Sequence, residues 1–195
     1  CGKDITNDIV FEHQSPNLNA NHLVRYTYSK MMGEIKVREN LPEDKILIVR
    51  PSIIMGDSRP IIPRSNVILW TLETCNLMRL FPVNEYANLD IIPVDYAANA
   101  IAKLIFVKRN HTVYHVSAGT KSSSNTLNVT NTINEYFSDK HPFKFVPIEL
   151  VSQMKLWTRG RLNEDSQLNQ YSFYLNYWQE AFENKENLRI LFAGL

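Results

Sequence analysis

The chain has 195 residues, 21 Lys+Arg against 20 Asp+Glu, a formal net charge of +1 and 44% hydrophobic residues. That balance excludes a disordered chain, which is poorer in apolar residues and more charged, and argues against a basic nucleic-acid binder. No apolar run reaches the ~20 residues that span a bilayer; two cysteines, Cys1 and Cys75, cannot form a disulfide framework, so a reducing, cytoplasmic home is the expectation.

The length suits one domain, or one and a half. The sequence opens on Cys1-Gly2-Lys3-Asp4, with no positive stretch leading into an apolar one. A processed lipoprotein also starts at cysteine. The blander expectation is a fragment whose upstream part is missing.

Residues 1–21 are polar and irregular, with Ser15-Pro16-Asn17 as a turn signal. A helical pattern runs from His22 to about Asn40. Tyr26, Lys30, Gly33 and Val37 share a stripe, and Glu34, Lys36, Arg38 and Glu39 are expected on the wet face. Pro42 ends it. Lys45 to Arg50 is β-branched and bounded by Pro51, which predicts a buried, parallel strand. The pattern then breaks at Gly56-Asp57-Ser58-Arg59-Pro60.

Ser65 to Leu80 predicts an amphipathic helix, and Leu89 to Pro93 a short extended segment. Asp95 is the expected N-cap of a helix over Tyr96 to about Lys108. Thr112 to Ser117 is a second strand, Lys121 to Asn125 a polar loop and Leu127 to Ser138 a helix. Phe143 to Pro147 is extended. Glu149 to Leu195 is expected to be mostly helical, with Trp157, Tyr171, Phe173, Tyr174, Tyr177, Trp178, Phe182 and Phe192. Strand–helix alternation up to Gly119 predicts α/β, and the tail an added helical subdomain.

Tyr26-Thr27-Tyr28-Ser29-Lys30 carries the clearest chemistry. Tyr26 and Lys30 are four residues apart on a predicted helix, so they share a face. A free phenol titrates near ~10, and a neighbouring ammonium favours the phenolate. Such a pair can pass a proton to or from a substrate oxygen. Alone, the spacing is common by chance, and a surface aromatic with a lysine one turn on explains it equally.

Three further blocks follow in order: Ile46-Leu47-Ile48-Val49-Arg50-Pro51-Ser52-Ile53-Ile54-Met55-Gly56, Leu89-Asp90-Ile91-Ile92-Pro93-Val94-Asp95-Tyr96, and Val113-Tyr114-His115-Val116-Ser117-Ala118-Gly119. Together they resemble the second half of the extended short-chain dehydrogenase/reductase family, and most closely its fatty acyl-CoA reductase and thioester reductase branch. The resemblance implies the C-terminal half of a Rossmann-like doubly wound parallel sheet. It places that domain at residues 1–119, with 57–88 as an excursion to the substrate side, and a mostly helical substrate-binding subdomain at 120–195.

The resemblance also implies roles. Tyr26 is the acid. Lys30 lowers its pKa and hydrogen-bonds the nicotinamide ribose. Pro51, Ser52 and Ile53 line the nicotinamide site, outside the carboxyl end of a parallel strand. The implied cofactor is NADP or NAD, with NADPH favoured, and the implied substrate an acyl-CoA or acyl-carrier thioester. Gly56 allows the turn toward the substrate part; a plain strand-ending glycine is equally consistent.

The departures are as informative. The sequence holds 6 glycines and no G-x-G-x-x-G, the loop that seats a pyrophosphate on a helix N-terminus. The Ser or Thr that the family places just before the position matching Cys1 is absent too. The expectation is therefore an NAD(P)-dependent oxidoreductase whose present stretch alone is inactive. A half-sheet with an open edge predicts self-association or pairing with the missing half.

Two alternatives stay open. One is a sugar-nucleotide epimerase or dehydratase using the same Tyr26/Lys30 pair. The other is a non-catalytic half-domain that assembles with a partner. The five histidines show no ligand spacing, so no metal is expected. Cys75 reads as a small core residue rather than a nucleophile. Arg159-Gly160-Arg161 reads first as a solvated turn and second as a contact for coenzyme A phosphates. The aromatic residues from Tyr171 to Phe182 read first as core, with a part in an acyl pocket implied by the resemblance.

Overall fold

The computed structural model describes residues 10–20, 22, 25–59, 66–138 and 141–147, with backbone alone for 66–71. In chain order the elements are α1 (Arg25–Asn40), a 3-10 turn (Glu43–Lys45), β1 (Ile48–Pro51), β2 (Ile53–Ile54), α2 (Asn66–Met78), β3 (Leu80–Phe81), β4 (Asn88–Leu89) and β5 (Ile91–Ile92). They continue with α3 (Val94–Phe106), β6 (Val113–Val116), α4 (Gly119–Ser122), β7 (Ser124–Asn125), α5 (Thr126–Phe137) and β8 (Lys144–Phe145). Two units form, one drawing its described residues from Cys1–Arg64 and Asp90–Ser123, the other from Ser65–Leu89 and Ser124–Leu195.

The β-branched run after Lys45 is the spine of the first unit. β1 pairs in parallel with β6, from Ile48 opposite Val113 to Pro51 opposite Val116. β2 pairs in parallel with β5, Ile53 opposite Ile91 and Ile54 opposite Ile92. The N–H groups of Ile48 and Ser52 donate to Thr112 and Val116 at 2.8 and 3.0 Å, and those of Ile53 and Met55 to Asp90 and Ile92 at 3.1 and 3.0 Å. The missing N–H of Pro51 falls between the donors that β6 uses, so the proline costs that ladder nothing.

α3 covers these strands. Ala97, Ala100, Ile101 and Leu104 are spaced i, i+3, i+4, i+7 and form its shielded stripe. Ile92, Ala97 and Val116 are buried together, and Val49, Ile54, Ala100, Leu104 and Ala118 pack around them. Every strand of the unit contributes to that core, and α1 contributes none of it. Gly56, at φ +69°, turns the chain away after β2, and its carbonyl accepts from Val94 N at 2.9 Å. An L side chain there is strained by its backbone alone, since a Cβ meets nothing within 4 Å.

The second unit has its own core. Cys75 on α2 and Phe81 on β3 are buried, with Leu72, Met78, Val83, Phe143 and Phe145 around them. The Phe81 ring lies 6.2 Å from both Phe143 and Phe145, edge-on to the first and tilted to the second. β3 runs parallel to β8 and β4 antiparallel to β7. Asn125 caps α5, its Oδ1 accepting from Asn128 N at 2.8 Å. Arg79 ends α2 at φ +53°, and its guanidinium lies 3.9 Å from the Phe143 ring centroid.

Several expectations are corrected. The N-cap position of α3 belongs to Pro93, with no side-chain cap bond, and Asp95 lies inside the first turn. Its carboxylate instead accepts from Ser58, backbone N–H at 3.0 Å and hydroxyl, a partner 37 residues away. The first strand starts at Ile48, because Glu43–Lys45 closes a 3-10 turn. The loop over 121–125 holds the end of α4 and all of β7, since Gly119 at φ +70° opens a helical turn. On α1 the stripe of Tyr26, Lys30, Gly33 and Val37 is exposed, while Glu34 and Arg38 are half-buried. The tail from residue 148 onward, with Arg159, Gly160, Arg161 and the aromatics from Tyr171 to Phe182, lies outside the described residues.

Candidate functional site

α1 presents Tyr26 and Lys30 one turn apart. The Lys30 Nζ lies 5.3 Å from the centre of the Tyr26 ring, within the reach of a cation over an aromatic face. Tyr26 is 51% exposed and Lys30 is exposed, so phenol and ammonium are open to a ligand. Just before them, His22 Nδ1 lies 3.0 Å from Thr27 Oγ1 and Nε2 3.2 Å from Met31 Sδ, with its ring edge-on to Tyr28. Those contacts seat the His22 ring against the first turns of α1.

Pro51, Ser52 and Ile53 occupy the carboxyl end of β1 and the start of β2. Pro51 is exposed, while Ser52 and Ile53 are half-buried. The Ser52 backbone N–H is spent on Val116, and its Oγ is shielded with no hydrogen-bond partner among the described residues. A shielded hydroxyl without a partner loses its hydration for nothing in return. A polar ligand at the strand end would repair that loss.

The two groups are joined by residues that spacing did not single out. Glu34, one turn beyond Lys30, meets Arg50, the residue before Pro51. Arg50 Nε donates to Oε2 at 3.0 Å and Nη2 to Oε1 at 2.6 Å, a two-pronged pair. Arg38 adds Nε and Nη2 to the same Oε1 at 3.1 and 3.0 Å. Arg50 Nη2 also donates to the Gln14 carbonyl at 3.0 Å. Burial works against the Glu34 charge, but the hydrogen bonds and charges of Arg50 and Arg38 outweigh it and hold the carboxyl below its usual range. The signal was present in the sequence as a glutamate four residues after Lys30 and an arginine before Pro51. Only the fold pairs them.

The other ionisable groups serve the frame. Asp90 Oδ1 accepts from Ala118 N at 2.8 Å and Oδ2 from Gly119 N at 3.4 Å, tying the turn after β6 to the approach of β5. Arg59 locks onto Asp57 through Nε at 2.8 Å and Nη2 at 2.5 Å, holding that carboxyl down at about 2. Burial pushes the Cys75 thiol up to about 12, which removes the thiolate that nucleophilic chemistry requires. Among the described residues, no group of three or more His, Cys, Asp or Glu side chains is placed to hold a metal ion. No helix among them is long and apolar enough to cross a membrane.

Comparison with known proteins gives this geometry a family. "Probable fatty acyl-CoA reductase 4" of Arabidopsis thaliana is 28% identical over 163 residues, covering 77% of this chain and 31% of that protein. A second protein of the same plant, designated fatty acyl-CoA reductase 7, is 28% identical over 125 residues, covering 57% of this chain and 30% of its own length. The chain thus spans about a third of the length of the curated relatives it matches. Among solved structures, the terminal R domain from the myxalamid PKS-NRPS biosynthetic pathway superposes with a TM-score of 0.51 at 20% identity, over 80% of this chain and 35% of that one. That likeness supports the α/β, Rossmann-like class of the parallel strand pairs. The NAD-binding family model described as "Male sterility protein" matches residues 3–101. With just over half of its residues inside that match, the chain belongs to the male sterility protein family of NAD-binding domains.

Proposed function

We propose that the chain is the C-terminal part of an NAD(P)H-dependent reductase of an activated acyl group, a fatty acyl-CoA or a carrier-bound thioester. The single observation that carries this reading is the exposed Tyr26–Lys30 pair on α1, in a chain of this family. The names of the Arabidopsis relatives support the substrate class. NADPH is the proposed form of the cofactor and the cytoplasm the proposed location.

The residues fit a nicotinamide nucleotide. Lys30 offers an exposed ammonium to ribose hydroxyls, and Ser52 offers a hydroxyl without a partner among the described residues. When bound, the reduced nicotinamide supplies a hydride to the acyl carbonyl carbon. Tyr26 holds a proton for the oxygen on which negative charge develops. Lys30 carries positive charge beside the phenol, so the phenolate left after transfer is not isolated. Pro51 and Ile53 supply apolar surface that limits water at the strand end. The first unit is proposed as the nucleotide side and the second as the acyl side.

The proposed partner is the N-terminal part of the same fold, or a second copy. The test uses the full-length protein that carries this sequence, with NADPH and a long-chain acyl-CoA. Tyr26→Phe should abolish NADPH oxidation while leaving cofactor binding within about twofold, because only the proton donor is lost. Equal rates in Tyr26→Phe and wild type would refute the assignment.

A further inference from the structure

α1 bears the proposed acid, yet none of its side chains is fully buried and none joins the apolar core of its unit. With no fully buried residue of its own, and with Met31, Met32 and Ile35 only half-buried, α1 depends on polar contacts for part of its placement. Among the described residues, an ion pair links α1 to the strands: Glu34, whose side chain is 13% exposed, on Arg50, at 23%. Its two prongs at 3.0 and 2.6 Å fix both distance and plane. Along the chain, Glu34 is one turn from Lys30 and Arg50 is bonded directly to Pro51. The pair therefore ends, on each side, next to one half of the proposed site. Arg50 also grips the Gln14 carbonyl at 3.0 Å, which ties in the segment that precedes α1.

We propose that the Glu34–Arg50 ion pair positions the Tyr26–Lys30 helix against the strand end Pro51–Ile53, so that Glu34 is a positioning residue of the reductase. This rests on the reading of Tyr26 and Lys30 given above. Glu34 touches neither of them; it acts through the register of α1. Arg38 supports the carboxylate from within the same helix and so cannot set the helix against the strand. A displacement of about 1 Å at a reacting group costs up to about 100-fold in rate.

The experiment measures NADPH oxidation and amide hydrogen exchange on the full-length protein. The variants are Glu34→Gln, Arg50→Lys, the exchanged pair Glu34→Arg with Arg50→Glu, and Lys36→Ala as an exposed control on the same helix. Glu34→Gln is expected to lower kcat about 10- to 100-fold with the KM for acyl-CoA within about twofold. Amides of α1 should exchange about tenfold faster while those of β6 keep their protection. Arg50→Lys, which keeps charge but loses the fork, should fall between wild type and Glu34→Gln. The exchanged pair should recover part of kcat.

Two results overturn the proposal with the enzyme active. One is Glu34→Gln matching Lys36→Ala in both kcat and exchange. The other is α1 and β6 losing protection together, which marks general destabilisation. If wild type and Tyr26→Phe are equally inactive, the proposed function falls first. The positioning role falls with it, and local exchange in α1 then marks a structural pair only.

Discussion

Two helices of the first unit are held by opposite means. α3 lays Ala97, Ala100 and Leu104 into a core with Ile92 and Val116. α1 has no fully buried side chain, and its Glu34 carboxylate reaches out of the helix to the Arg50 guanidinium on β1, with Arg38 of the same helix supporting that carboxylate. Apolar packing is insensitive to direction and tolerates no voids, whereas a forked ion pair fixes orientation and leaves the rest of a helix surface free. A helix with the proposed task of keeping a phenol and an ammonium open to a ligand gains from the second arrangement. A helix whose task is to cover strands gains from the first.

The largest effect separating the two should come from the core under α3. Ile92→Ala removes from β5 a side chain buried together with Ala97 of α3 and Val116 of β6, and should cost about 2–5 kcal/mol. A urea titration of the full-length protein reads this as a lower midpoint with an unchanged slope. A cost below about 1 kcal/mol would mean that α3 is not held by this core, and the contrast would collapse.

A smaller and pH-dependent effect should come from α1. Glu34→Gln keeps the shape but removes the charge facing Arg50, at about 1–2 kcal/mol for a charge-assisted, half-buried contact. The Glu34 carboxyl is depressed below its ordinary 4.5 in the folded protein. Its contribution is therefore fully present above pH 4.5 and lost as pH falls through the lower, folded value. Wild type should lose stability across that acidic window, and Glu34→Gln should lose less. Urea midpoints at a series of pH values from neutral to acid check this; parallel curves would mean that the pair contributes nothing to folding.

The same contrast explains what the sequence revealed. The spacing of Ala97, Ala100, Ile101 and Leu104 is local, so α3 is legible with only small errors at its ends. The β-branched run after Lys45 likewise announces a parallel strand, and Pro42 announces the end of α1. Glu34 misleads, because its partner lies 16 residues away and a helical wheel assigns charge to solvent. Asp95 misleads for the same reason: it resembles a cap by position, but Ser58 takes its oxygens. At the site, Tyr26 and Lys30 are legible as a pair because a helix turn brings them together, and Ser52 is legible only as a neighbour of Pro51. That its hydroxyl is shielded and without a partner among the described residues is set by the folded surroundings of the β1–β2 junction, which no local spacing encodes.

The smallest effect makes the sharpest test of why α1 is held by charge. Glu34 Oε1 accepts from Arg38 as well as Arg50, yet the two contacts do different work. Arg38 is four residues along the same helix, and pairs at that spacing stabilise by about 0.2–0.5 kcal/mol. They stiffen a helix without fixing it to anything. Arg50 lies on β1 and is less exposed, so its contact survives only when α1 sits in place. Arg38→Ala should therefore lower the urea midpoint barely at all and leave the exchange of α1 amides near wild type. Arg50→Ala should move both, and should leave the acidic window of Glu34 shallower, because the nearer and better-shielded cation is gone. If the two variants behave alike, the carboxylate is balanced by net charge rather than by geometry, and α1 is free to shift on the strands.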